Sequence, residues 1–227
     1  MTLQVKEILD IFAKKEFLKE NDLYFIGGTA LSYYLNHRIS EDIDFISSLP
    51  LNHRLIKKEM SSLNAKFIED ENASRLRIAG LFPDEWILKF FIDGVKIEFF
   101  QASTPLMKKI IKSSRIEYIG NIKILDIKTI SKLKTIAFFQ RGKSRDIFDV
   151  NEILKNSILT INETVDIAQN IHFAIIDKEN LLNFIRNMSE PIEDETVYLK
   201  ENSNEYLLFE DLKEMLIKTI KGLYKGK

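Results

Sequence analysis

The stretch Phe25–Phe45, "FIGGTALSYYLNHRISEDIDF", decides the fold. It reads as the end of a strand, a Gly27-Gly28 turn, a helix starting at Thr29, and a second strand, "DIDFIS". Paired glycines let the backbone turn tightly and come close to a ligand. The helix that follows presents unpaired N–H groups and partial positive charge, which suits a phosphate, and Thr29 adds a hydroxyl. Alone, such a pair marks a turn and nothing more. Asp42 and Asp44 occupy alternate strand positions, so both side chains share one face, with Cα atoms roughly 6.5–7 Å apart. Ile43 and Phe45 take the opposite face, toward a core. Two neighbouring carboxylates repel each other unless a cation lies between them. Mg²⁺ binds through a few carboxylates plus substrate phosphates. Alone, the pair also fits an exposed strand with two solvated acids. Together, turn, helix and acid-bearing strand form the arrangement that phosphoryl transfer requires.

Outward from this stretch, residues 2–20 read as one amphipathic helix with Ile8, Phe12 and Leu18 inward, and "NHRLIKKEMSSL" as another helix. A β-rich block follows: "AKFIED", "SRLRIAGLF", "EWILKFFI" and "VKIEFFQ". Asp93-Gly94 joins the last two as a hairpin, and "RIEYIGNIKIL" turns at Gly120-Asn121. From Asp126 the pattern becomes helical, with Ser144 as the expected cap of "SRDIFDVNEILKN" and a last helix over about Phe209–Tyr224. The expected class is α+β, a mixed sheet with flanking helices over residues 1–125 and a helical bundle over 126–227.

The 227 residues suffice for a substantial core, and the net charge of −1 carries no global pull toward nucleic acid or membrane. The balance is local: residues 101–150 hold eleven Lys/Arg against four Asp/Glu, while 190–211 are acidic. The absence of cysteine excludes disulfides and thiolate metal sites. No apolar run approaches the ~20 residues of a membrane span, and the N-terminus lacks a signal-peptide pattern, so a soluble cytoplasmic protein is expected. His37, His53 and His172 share no ligand spacing and read as structural or surface residues.

Glu98 is the one acid in the strand "VKIEFF" and shares a face with Lys96 and Phe100. It needs a partner there. Two roles fit, a third metal ligand or a cross-strand salt bridge with Lys96 or Lys89, and the ligand reading is preferred; Asp93 is explained by its turn. In "KTIAFFQRGKSRDIFDV", Lys134, Ala137 or Phe138, and Arg141 fall on adjacent helical positions, and Lys143 and Arg145 follow. Such cations suit a triphosphate or RNA phosphates, or form a solvated basic loop. Asp146 and Asp149 suit a helix start, whereas Arg145 there does not.

"IGG", thirteen residues, then "DIDF" resembles the signature of the nucleotidyltransferase superfamily related to DNA polymerase β. The later segment narrows this. Lys134, Ala137, then Arg145-Asp146 and Asp149, with Arg38 and Ser40 ahead of Asp42, resemble the AbiEii/AbiGii toxin family of nucleotidyltransferases. The motif-bearing likeness covers residues 25–150. Thr29 stands where many relatives have Ser, and the chain is short for the group. The resemblance implies that Gly27, Gly28 and Thr29 cradle the triphosphate of an NTP, and that Asp42, Asp44 and Glu98 hold two Mg²⁺ ions. Lys134, Arg145 and Asp146 would complete substrate binding. It implies transfer of NMP to an acceptor hydroxyl, on RNA (tRNA especially) or protein, by a bacterial toxin that an antitoxin protein would partner. The alternative is a non-catalytic nucleotide-binding or protein-interaction module on the same fold.

Overall fold

The computed structural model describes residues 1–69, 71–192, 194, 197–199 and 206–223. The chain divides into two compact units, residues 1–34 with 40–126, and residues 35–39 with 127–227.

In the first unit the expected N-terminal helix is two, α1 (Leu3–Phe12) and α2 (Glu16–Glu20). The break has a long-range cause. The Ala13 carbonyl leaves the helix pattern and accepts from the Asn121 N–H at 2.7 Å. Strand β1 (Tyr24–Ile26) runs into α3 (Gly27–Leu35), β2 (Asp42–Ser47) and α4 (His53–Ser62). β3 (Lys66–Ile68) is followed by α5 (Ala73–Ile78), where the alternation of "SRLRIAGLF" suggests a strand instead. That alternation is not matched by burial: Ile78 is 89% exposed, so no apolar face needs a sheet, and helix-forming Arg, Leu and Ala prevail. A short 3₁₀ turn at Pro83–Glu85 leads into β4 (Ile87–Ile92) and β5 (Val95–Gln101). Next is α6 (Pro105–Lys112), a helix the sequence reading missed despite its Thr104 cap and N-terminal proline. The hairpin of β6 (Ile116–Ile119) and β7 (Ile122–Leu125) closes the unit.

Among the described residues these seven strands form one mixed sheet, ordered β3-β4-β5-β2-β1-β7-β6. β2 pairs parallel with β5 and antiparallel with β1. One face is the core. Phe12, Phe45, Phe99 and Phe90 follow one another there with ring centroids 5.1–6.1 Å apart. Ile43, Phe45, Ile97 and Phe99 are completely buried, as alternation requires of the residues flanking Asp42, Asp44 and Glu98.

The second unit is built on α7 (Ile127–Arg141), α8 (Ser144–Lys155), α9 (Ile161–Gln169), α10 (Lys178–Arg186) and α11 (Phe209–Gly222). The expected last residue of α11, Tyr224, lies outside the described residues. The bundle is not wholly helical, since β8 (Val197–Tyr198) pairs with β9 (Tyr206–Leu207). Helix α7 is buried nearly all round, as befits a central helix. Ser144 is the first residue of α8 rather than its cap. Its N–H and hydroxyl bond the Asp194 carboxylate at 2.9 and 2.6 Å, so the capping acceptor comes from far along the chain.

Candidate active site

Asp42 and Asp44 project from one face of β2, Asp44 level with the last residue of β1 and Asp42 beyond it. The β1–β2 register sets Ile26 opposite Asp44, and the next residue, Gly27, turns the chain into α3 at φ +82°. A Cβ added at Gly27 would lie 2.1 Å from Asp44 Oδ2. The first glycine is thus required twice, by its backbone angle and by the carboxylate against it. The opening turn of α3 leaves N–H groups without intrahelical partners beside these acids. Thr29 does not offer its hydroxyl to this opening. It is 1% exposed, donates to the Asp42 carbonyl and lies 2.8 Å from the Ser40 hydroxyl. It ties the start of α3 to the start of β2 and so sets the glycine turn beside the strand.

The parallel β2–β5 register places Lys96 next to Asp42 and Glu98 next to Asp44. The three acids therefore lie on one sheet face, but Glu98 is drawn to lysines. Its Oε1 is 3.3 Å from Lys96 Nζ and 3.8 Å from Lys89 Nζ. Burial disfavours the Lys96 ammonium, yet the charges of Glu98, Asp42 and Asp44 outweigh it and hold the lysine pKa above its ordinary value. Among the described residues, no three His, Cys, Asp or Glu side chains converge as a ready metal cage. The donor set nonetheless suits a hard cation: two adjacent carboxylates, a third in register, and an ammonium attracted to all three.

In the second unit, Lys134 of α7 is buried, with Nζ 3.1 Å from Asp146 Oδ1 and 2.9 Å from Asp149 Oδ2. Arg38 grips Asp149 with both arms of its guanidinium, at 2.7 and 2.9 Å, and His37 Nε2 is 2.7 Å from the same carboxylate. Arg141 holds Asp146 at 2.7 and 3.0 Å. Burial alone would raise the Asp149 pKa; Arg38 and Lys134, with hydrogen bonds from Arg38 and His37, instead hold it well below the usual carboxylate range. Asp146 is likewise depressed against its burial, by Lys134 and Arg141, and Lys134 stays a cation because the two aspartates overcome its own burial. Of the residues expected to bind substrate, Lys134 and Asp146 are thus joined to each other. Arg145 is half-buried one position before Asp146. Motif matching points to Arg38, and motif matching and helix-start chemistry point to Asp149; their paired burial is not legible from spacing.

A sequence-family profile described as "Nucleotidyl transferase AbiEii toxin, Type IV TA system" matches residues 11–214. An uncharacterized protein of Aquifex aeolicus (strain VF5) is 29% identical over 187 residues, covering 80% of this chain and 82% of that one. Among solved structures, JHP933 from Helicobacter pylori aligns with a TM-score of 0.51 at 18% identity, covering 99% of this chain and 94% of that one. A putative nucleotidyltransferase from H. pylori aligns with a TM-score of 0.52 at 17% identity, covering 99% and 96%. At these identities the two structures speak for the fold.

Proposed function

This chain belongs to the nucleotidyl transferase AbiEii toxin family, and from that premise we propose that it is a Mg²⁺-dependent enzyme moving NMP from an NTP to an acceptor hydroxyl on RNA. The observation that carries the reading is the sheet face on which Asp42, Asp44 and Glu98 stand in register with Gly27 against Asp44.

In this reading Asp42 and Asp44 would hold the metal, with Glu98, in register beside Asp44, as the third carboxylate. Bound there, Mg²⁺ would neutralise the triphosphate and polarise the phosphoryl group under attack. Gly27, Gly28 and the first N–H groups of α3 receive the phosphates, while Thr29 acts from behind, fastening that turn to β2. Glu98 Oε1 takes the proton of the acceptor hydroxyl. The hydroxyl oxygen then bonds the α-phosphorus as the bond to pyrophosphate breaks, giving a nucleotidylated acceptor and pyrophosphate. Lys134, Arg145 and Asp146 enter through the motif resemblance, as contributors to triphosphate binding. The ion pairs of Lys134 support a prior role for it, holding α7 to α8. The family supports a toxin restrained by an antitoxin protein, acting in the cytoplasm, where NTPs and RNA meet. No described helix is long and apolar enough to cross a membrane.

The test is transfer of label from each NTP in turn to total RNA with Mg²⁺. Label transfer that survives Asp42→Asn and Asp44→Asn would sink the assignment.

A further inference from the structure

The acid-bearing sheet face continues beyond the carboxylates, within the first unit. Strand registers define two rows running outward from β2. The first is Asp42, Lys96, Phe91, Lys66, and the second is Asp44, Glu98, Lys89, Ile68. At the strand spacing, each row extends about 14 Å from its aspartate. The outer part of this face is open. Phe91 is 41% exposed although its strand neighbours Phe90 and Ile92 are buried, and Lys66 is exposed at the edge of the sheet. A large aromatic ring left in water on a strand, with lysines directly across from it on both sides, contributes nothing to the core on the opposite face.

This alternation of ring and ammonium fits one kind of ligand. Bases stack on aromatic side chains whatever their identity, and lysines meet the phosphates between them. The carboxylates at the inner end would repel a polyanion, but the lysines stand between them and the outer strands. A polypeptide adding a strand at β3 fits less well, because that edge is three residues long and begins with a lysine. Resting on the function proposed above, we propose that the open face of β3, β4 and β5 seats the unpaired end of an RNA acceptor, with Phe91 stacking on a base and Lys66 and Lys89 on phosphates. The strand's terminal hydroxyl is thereby delivered to Glu98.

The experiment uses the full chain and a short, labelled, single-stranded oligoribonucleotide of mixed sequence, with binding read by fluorescence anisotropy in the absence of NTP. Phe91→Ala with Lys66→Ala should weaken binding at least about tenfold. Lys66→Ala alone should lower the slope of log affinity against log salt by about 0.7. Melting temperatures should stay close to that of the parent, since neither side chain belongs to the core. In transfer assays the double variant should raise the KM for RNA and spare kcat. A double variant that binds the strand as tightly as the parent overturns the proposal, as does a parent chain that binds no strand at all. If a polypeptide occupies this edge instead, RNA affinity is blind to both substitutions, which is the same overturning result. Asp42→Asn, run in parallel for transfer, separates the two levels. Transfer that persists in it defeats the active-site reading, whereas lost transfer with normal strand binding by the double variant defeats only the acceptor platform.

Discussion

Gly27 and Gly94 offer a matched pair of substitutions. Both have φ +82°, but a Cβ at Gly94 meets nothing within 4 Å, whereas one at Gly27 falls 2.1 Å from Asp44 Oδ2 and 2.9 Å from its Cγ. Alanine in this left-handed region costs about 1–2 kcal/mol. For a chain of this size that lowers the melting temperature by roughly 2–8 °C. Gly94→Ala should show this backbone term alone and keep its transferase activity. Gly27→Ala carries the same term and must also move a carboxylate. To bring the contact to 3.0 Å, the Asp44 carboxylate withdraws by about 1 Å. A displacement of that size at a reacting centre costs on the order of 100-fold in rate. Thermal melts by circular dichroism and label transfer from NTP to RNA, run on both variants, separate strain from displacement. Gly27→Ala transferring label at close to the Gly94→Ala rate would refute the reasoning that the first glycine exists to admit Asp44.

Asp42→Asn and Asp44→Asn should each abolish label transfer while leaving the melting temperature unchanged or slightly higher, because the carboxylate repulsion is relieved; a drop of several degrees would show that the acids hold the fold. Lys134→Met should destabilise the chain by about 3–5 kcal/mol in urea unfolding, since it leaves two buried carboxylates short of a cation; a loss under about 1 kcal/mol would contradict the assigned ion pairs. The depressed Asp146 and Asp149 contribute stability that is fully present above the unfolded carboxylate pKa and is lost as pH falls below about 4 toward their folded values. The raised Lys134 contributes stability present below the ordinary lysine value and lost as pH rises through its folded one. Urea unfolding against pH should therefore steepen below about pH 4 in the parent and less so in Asp149→Asn, and equal slopes would remove Asp149 from the linkage. Lys96→Met should raise the apparent Mg²⁺ affinity in transfer assays by roughly tenfold, as one competing cation leaves the acids; unchanged Mg²⁺ dependence would place Lys96 outside the metal's field.

Features set by neighbouring residues were legible in the sequence. The alternation of "DIDFIS" put Asp42 and Asp44 on one face, and Asp93-Gly94 forms its hairpin with φ of 47° and 82°, as a two-residue turn requires. Glu98 was legible as an acid needing a partner, and both lysines considered as alternatives to a metal are near it. Features set by distant residues were not. The break after α1 answers to Asn121, the start of α8 to Asp194, and the burial of Arg38 to Asp149, 111 positions later. Thr29 looked available for phosphate because nothing local reveals that Asp42 would present a carbonyl to it. Lys134 looked like a free cation for a similar reason: its neutralising aspartates stand on the next helix.

The assignment of Leu35–Ile39 to the helical unit bears on how such proteins can be rearranged by recombination. The chain passes between the units at 34/35, 39/40 and 126/127, so a gene cut at 126 yields no free-standing cassette, although it keeps Asp42, Asp44 and Glu98. Such a fragment strands Arg38 and His37 without Asp149, the carboxylate both of them hold. The spacer between the glycines and the aspartates is likewise a measured span, pinned in its middle and unsuited to insertions. Fusions, split reporters and shuffled chimaeras should succeed where neither half is asked to part with that segment, and lineages of this family should exchange the two units together.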